Sequence, residues 1–359
     1  MNELSNRGSA GVTADHAEYV QIASEIAQGP IRSRVGYGAF RHFGGVFRDS
    51  IDVVLESSYF SPRSRDGSLP IFAFDPEFLH FFGRRHWMTP RAFVENVLGV
   101  PASYDPAPMW ALFWSLAKAE HDFLQRYVSY WSHEERLTGH LVSQLVERLE
   151  SFGPHWRALN AESGVESFCR IWYADTATAR REAITGADLG LIVQAKFGNQ
   201  SEFFKAARFQ AKKVGRSGNA RVDLDQVETM LQHHDKLGYY LFYHPLDTNS
   251  WTLPPTVRLA SDFRHDLDEY RKKPRHSSAE ITKQVNGNGF DLAMFITFAL
   301  ADAGADHGVL ASTANEAISV LMSGGAPSRV LVVTLGEGTT PVTWNAALGE
   351  WIGHQFIEE

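Results

Sequence analysis

A chain of 359 residues, 44% hydrophobic and 21% charged, has globular proportions and enough length for two domains or one elaborated domain. Its 29 Gly and 15 Pro follow no period, which excludes collagen-like and low-complexity readings, and the overall balance excludes wholesale disorder. The net charge of −8 argues against a uniformly basic nucleic-acid binder, yet the charge is uneven: Arg180, Arg181, Lys196, Lys205, Arg208, Lys212, Lys213, Arg216 and Arg221 face only three acids in the same window, a local balance of +6 that leaves −14 for the rest.

Met1 to Ala17 is polar and reads as a flexible tail without the apolar stretch of a signal peptide. With a single cysteine, Cys169, no intramolecular disulfide can form, and a reducing cytoplasm is the expected compartment. From Tyr19 to about Pro108 the sequence is aromatic-rich and broken by turn signals such as Asp66-Gly67-Ser68, and the aromatic residues read as core. Met109 to Glu150 carries apolar residues at helical intervals, predicting a helix or helix pair, whose last segment stacks Leu141, Leu145 and Leu149 four apart.

After Gly164 the period changes to that of strands. Strands are predicted at Phe168 to Tyr173, Ala187 to Gln194, Ala206 to Val214 and Tyr239 to Tyr243, with an amphipathic helix from Asp223 to Lys236 between the last two. Helices follow at Leu259 to Lys273 and Phe290 to Ala301, then a buried strand at Ser328 to Leu335. The longest apolar run, Leu292 to Ala301, is about half of the ~20 residues needed to span a bilayer. No membrane association is expected.

Common catalytic signatures are missing: there is no phosphate loop, no H-E-x-x-H, no C-x-x-C and no G-x-S-x-G. Cys169 in an apolar strand reads as a packing residue, and the adjacent His233 and His234 as surface histidines. The segment that stands apart is Gly186-Ala187-Asp188-Leu189-Gly190 followed by Gln210-Ala211-Lys212. In an antiparallel hairpin pairing Asp188 with Lys212 and Gly190 with Gln210, the period of two puts Asp188, Gln210 and Lys212 on one face, and Leu189, Leu191, Val193, Phe209 and Ala211 on the other. Gly190 would then leave room beside Gln210 for a metal ion and a phosphate. A hard divalent cation wants oxygen ligands, which Asp188, the Gln210 carbonyl and the Ala211 backbone can supply, and Lys212 can orient water or neutralise a phosphate oxygen.

This pattern resembles the PD-(D/E)XK nuclease superfamily of restriction-endonuclease-like folds. The family order of a helix, a three-strand meander, a helix and a further strand matches the elements predicted between about Glu134 and Tyr243. The resemblance implies an α/β fold with a mixed central sheet flanked by helices, divided as a tail and aromatic-rich extension (1–108), a nuclease-like core (109–250) and a C-terminal α/β extension (251–359). It assigns catalysis to Glu134, Asp188, Gln210 and Lys212, and Mg²⁺ or Mn²⁺ ligation to Glu134, Asp188, Gln210 and Ala211, with Glu135 competing for the place of Glu134 and Gln226 a further possible member. Arg180, Arg181, Lys205, Arg208, Lys213 and Arg216 are the expected nucleic-acid contacts. Ala187 stands where the family often has Pro, and Gln210 where it commonly has Glu, so one negative charge is missing from the expected site.

The expected activity is hydrolysis of nucleic-acid phosphodiesters, with DNA ahead of RNA, in the setting of bacterial restriction or phage defence. Two rivals stand beside it: a non-catalytic nucleic-acid-binding or scaffolding subunit, which Gln210 favours, and an enzyme acting on another phosphate ester. A protein partner or self-association is left open.

Overall fold

A computed structural model describes residues 104, 108–127, 132–151, 160, 166–175, 187–198, 201–244, 253–273, 279–285, 289–338 and 344. The expectations for the first 103 residues, and for Arg180 and Arg181, fall outside them. The described chain is α/β, with a mixed eight-stranded sheet carrying helices on both faces. Among the described residues no helix is long and apolar enough to cross a membrane.

The expected helix pair is α1 (Pro108–Arg126) and α2 (Glu134–Ser151). Both bury apolar stripes, including Trp110, Phe113, Leu137, Leu141 and Leu145, in one core with Leu189, Leu191, Val193, Phe209 and Ala211. Those five strand residues occupy the face that period-two alternation assigns them.

The strands β1 (Ser167–Asp175), β2 (Leu189–Lys196), β3 (Phe203–Lys213) and β5 (Gly238–Tyr243) match the four expected segments within a few residues. Between β3 and β5 lie β4 (Asn219–Asp223) and α3 (Leu224–Leu231). The expected start of the helix at Asp223 is its N-cap: the Asp223 carboxylate accepts from the Asp225 N–H at 2.9 Å. The helix stops well before Lys236. Further on come β6 (Thr256–Leu259), α4 (Arg264–Arg271), β7 (Glu280–Gln284), β8 (Phe290–Asp291), a short α5 (Leu292–Met294) that widens into a π-helical turn over Phe295–Leu300, β9 (Val309–Ala311), α6 (Ala314–Met322) and β10 (Arg329–Glu337).

The main sheet runs β1-β10-β2-β3-β5-β6-β8, with β9 also on β3, while β4 and β7 form a separate two-stranded ribbon. Pairing is parallel for β10 with β2 and for β3 with β5, and antiparallel elsewhere. One expectation is corrected here. The first three strands do not form an uninterrupted meander, because β10 lies between β1 and β2 and pairs with both along its length. Beyond residue 250, β6, β8, β9 and β10 add to the same sheet. The run Val330 to Val333 is wholly buried, which is why the centre of the sheet tolerates it.

Candidate active site

The β2–β3 hairpin pairs Gly190 with Arg208 and Leu189 with Phe209, a shift of two residues from the expected register. A two-residue shift keeps every side chain on its face, whereas a shift of one would have inverted them. It also brings Asp188 beside Gln210: Asp188 N–H donates to the Phe209 carbonyl at 2.9 Å, and one carboxylate oxygen, Oδ2, accepts from the Gln210 side-chain amide at 2.7 Å and from the Ala211 N–H at 2.8 Å.

Because β10 is parallel to β2, and β5 to β3, the start of β10, the start of β2 and the ends of β3 and β5 lie at one end of the sheet. The N-terminus of α2 comes to the same end. Glu134 Oε1 accepts from the Lys213 N–H at 2.8 Å, and Lys213 Nζ donates to the Ser132 carbonyl at 3.2 Å, so helix and strand end are tied together twice. Tyr243, at the end of β5, donates its hydroxyl to Thr138 Oγ1 on α2 at 3.0 Å. Glu135 is exposed and faces Arg329, with 3.6 Å between Oε1 and Nη2. Of the two competing glutamates it is Glu134 that reaches β3.

Burial is the main reason the Asp188 carboxyl is pushed up to about 6. The Ala211 N–H and the charges of Lys212 and Arg329 act against that shift, and Glu134 adds to it. Asp188, Glu134, Lys212 and Arg329 thus sit within electrostatic reach of one another. No local sequence signal marks Arg329; as the first residue of β10 its place depends on a strand pairing made over more than a hundred residues. Its Nη1 is enclosed and has no hydrogen-bond partner.

Three expectations are corrected in this region. The space over Gly190 is occupied: a Cβ there would stand 2.6 Å from Pro327 Cγ and 2.9 Å from Leu321 Cδ2, so this glycine admits the end of α6 rather than a metal and phosphate. Gly190→Ala should therefore lower stability by about 1–3 kcal/mol, the usual cost of overpacking, which a shift in the denaturant midpoint would register. Lys205 and Arg208, expected on a nucleic-acid surface, are buried. Lys205 Nζ donates to the carbonyls of Ala299 at 3.0 Å and Ala305 at 2.6 Å around the π-helical turn, and burial draws its pKa down to about 8. The Arg208 guanidinium donates to the carbonyls of Leu321 at 2.7 Å, Ser323, and Gly325 at 3.2 Å, closing the C-terminal end of α6.

Arg216 is exposed, and Lys213 is half-buried against α2. Gln226 lies on α3, with its side-chain oxygen enclosed and without a hydrogen-bond partner, and nothing connects it to Asp188. The Cys169 thiol is pushed up to about 12 by burial, which fits packing and not nucleophilic attack. His233 and His234 are exposed.

Among the described residues no three His, Cys, Asp or Glu side chains group as metal ligands. The oxygen donors near Asp188 are two carboxylates, an amide and the Ala211 carbonyl, a set whose chemistry suits a hard cation. The raised Asp188 carboxyl supports that fit, because a cation would relieve the cost of its buried charge. Gln210 complicates it, since its amide nitrogen is turned toward Asp188. No family model, curated protein or solved structure matches this chain.

Proposed function

We propose that this chain is a metal-dependent nuclease of the PD-(D/E)XK type, with a restriction-endonuclease-like core that hydrolyses phosphodiester bonds, preferentially of DNA. The observation that carries the proposal is the convergence, at one end of the sheet, of Glu134 from a helix start, Asp188 from a strand start, and Gln210 and Lys212 from the adjacent antiparallel strand. The parallel return of β5 beside β3 through α3 is also the order that the resemblance implies.

Glu134 and Asp188, with the Gln210 and Ala211 carbonyl oxygens, would hold Mg²⁺ or Mn²⁺. The ion would offset charge on the phosphate and acidify a bound water. The protein's own part is positional. The Ala211 N–H and the Gln210 amide fix Asp188 through Oδ2, leaving Oδ1 for ligation. The Lys213 N–H likewise fixes Glu134 through Oε1. Lys212, close enough to bias Asp188, orients the attacking water or neutralises a non-bridging phosphate oxygen. Arg329 adds a second cation at the same end. The setting implied is a cytoplasmic effector of restriction or phage defence, with any translocation supplied by a partner.

The Gln210 amide gives the second reading its specific support, because a donor facing Asp188 competes with a metal for that carboxylate. In that reading the chain is a nucleic-acid-binding or scaffolding subunit without cleavage. Incubation with linear and circular duplex DNA, single strands and RNA, in Mg²⁺, Mn²⁺ and EDTA, decides between the two. Cleavage of duplex DNA that EDTA abolishes while binding persists is the expected result, and binding with no cleavage in either metal would favour the scaffolding role.

A further inference from the structure

The β4–β7 ribbon hangs from the end of β3 that carries Lys212 and Lys213. Val214 bridges to Ala220, Gly215 N–H donates to the Asn219 carbonyl at 2.7 Å, and Val285 N–H to the Gly218 carbonyl at 3.0 Å, so the ribbon leaves the strand through one tight turn. Gly218, with φ of 78°, supplies the left-handed conformation that this turn needs.

Alternation divides the ribbon into two faces. Ala220 and Val222 are buried, and Ile281 packs beside them, in the cluster that holds Tyr240 and Phe242 of β5. Gln210 and Lys212 are the register partners of Tyr240 and Phe242 on a parallel strand, so the ribbon packs over the same sheet face on which they stand. The outer face carries Asn219 opposite Gln284 and Arg221 opposite Thr282. Arg221, Thr282 and Gln284 are exposed, and no hydrogen bond or ion pair within the described residues engages them. The acids Asp223 and Glu280 stand opposite each other at the far end, away from the turn. Lys283, by contrast, is turned inward and pairs with Asp266 on α4 at 2.7 Å.

An exposed arginine, threonine and glutamine on adjacent strands, with the half-buried Asn219 beside them donating its side-chain amide to Ser217 Oγ at 3.0 Å, form an unusual face for a ribbon that needs only to be soluble. Glu and Lys would serve that purpose, and they are absent from the near half of this outer face. These four side chains do match the edges of base pairs: arginine fits guanine O6 and N7, Asn and Gln fit adenine N6 and N7, and Thr contacts the thymine methyl or either polar edge. A two-stranded ribbon is also of a width that enters the major groove of B-form DNA, whereas the deep, narrow major groove of A-form RNA excludes it.

We propose that the outer face of the β4–β7 ribbon, through Asn219, Arg221, Thr282 and Gln284, docks in the major groove of duplex DNA and sets where the adjoining strand end meets the backbone. The placement rests on the nuclease reading for its purpose, but its binding step does not depend on cleavage. The test uses the full chain in EDTA with duplex oligonucleotides, comparing the wild type with Arg221→Ala/Gln284→Ala and with Arg221→Lys.

The double variant should bind duplex DNA at least about tenfold more weakly, in line with the loss of one bidentate base contact, while melting at the wild-type temperature because both side chains are exposed. The wild type should protect guanine N7 from dimethyl sulfate, and Arg221→Lys, which keeps the charge but not the fork, should lose that protection. Equal affinity and equal guanine protection in all three proteins would overturn the docking site, even if the wild type cuts DNA in Mg²⁺. Weakened binding by the double variant of a protein that never cuts in metal would leave the docking site standing and remove the nuclease reading instead.

Discussion

Asp188→Asn should abolish cleavage, by at least the ~10²–10³-fold typical of removing one electrostatic stabiliser, and at the same time make the protein more stable at neutral pH. The two effects have a single origin. Burial holds the folded carboxyl near 6 against 3.8 for an ordinary aspartate, so between those values the folded chain keeps a proton that the unfolded chain has released. Stability therefore falls as pH rises through that window, and above it the ionised carboxylate costs up to about 3 kcal/mol relative to an unshifted group. Asn can still accept from the Ala211 N–H and carries no charge to bury, so the variant should gain about 1–3 kcal/mol at pH 8 and little at pH 4. Denaturant unfolding of both proteins at the two pH values checks this. Adding Mg²⁺ at pH 8 should raise the melting temperature of the wild type clearly more than that of the variant, which keeps only the Glu134 carboxylate for the ion to neutralise. A variant that cuts DNA at the wild-type rate would remove Asp188 from the site.

Arg208→Ala should destabilise the chain by roughly 3 kcal/mol without altering the affinity of the folded protein for DNA. Its guanidinium meets three carbonyls where α6 ends, and truncation would strand the buried Leu321 acceptor and untie the part-buried carbonyls of Ser323 and Gly325 from the sheet. A lysine cannot span all three, so Arg208→Lys should recover only part of the loss. Thermal unfolding and a salt titration of DNA binding separate this from a surface role: an unchanged melting temperature with a shallower salt dependence would put the guanidinium on the nucleic-acid side after all.

Local pattern carried the strands furthest. β2, β3 and β5 were visible because their apolar residues are bounded by turns, and the faces of Asp188, Gln210 and Lys212 survived a register shift of two since side chains repeat with that period. What escaped was set at long range. Lys205 and Arg208 read as surface charges because nothing nearby reveals their acceptors, which lie 94 to 117 residues away. Gly190 suggested an opening, and the residues that fill it come from α6. Arg329 could not be placed beside Asp188 without knowing that β10 enters the middle of the sheet. The ribbon is silent in the sequence for another reason: five residues of alternation in each of β4 and β7 are too few to stand out from a loop.

The position of β10 also bears on how such a protein comes into being. During synthesis every other described strand of the sheet leaves the ribosome first, and until Arg329 to Glu337 follow, β1 and β2 each lack the partner they have in the folded sheet. The last described strand to emerge is the wedge between β1 and β2, and it delivers Arg329 to Asp188. A nascent chain, or one truncated before residue 329, is on this account a sticky intermediate with open strand edges, and under the proposed function the site would be completed in a single late step.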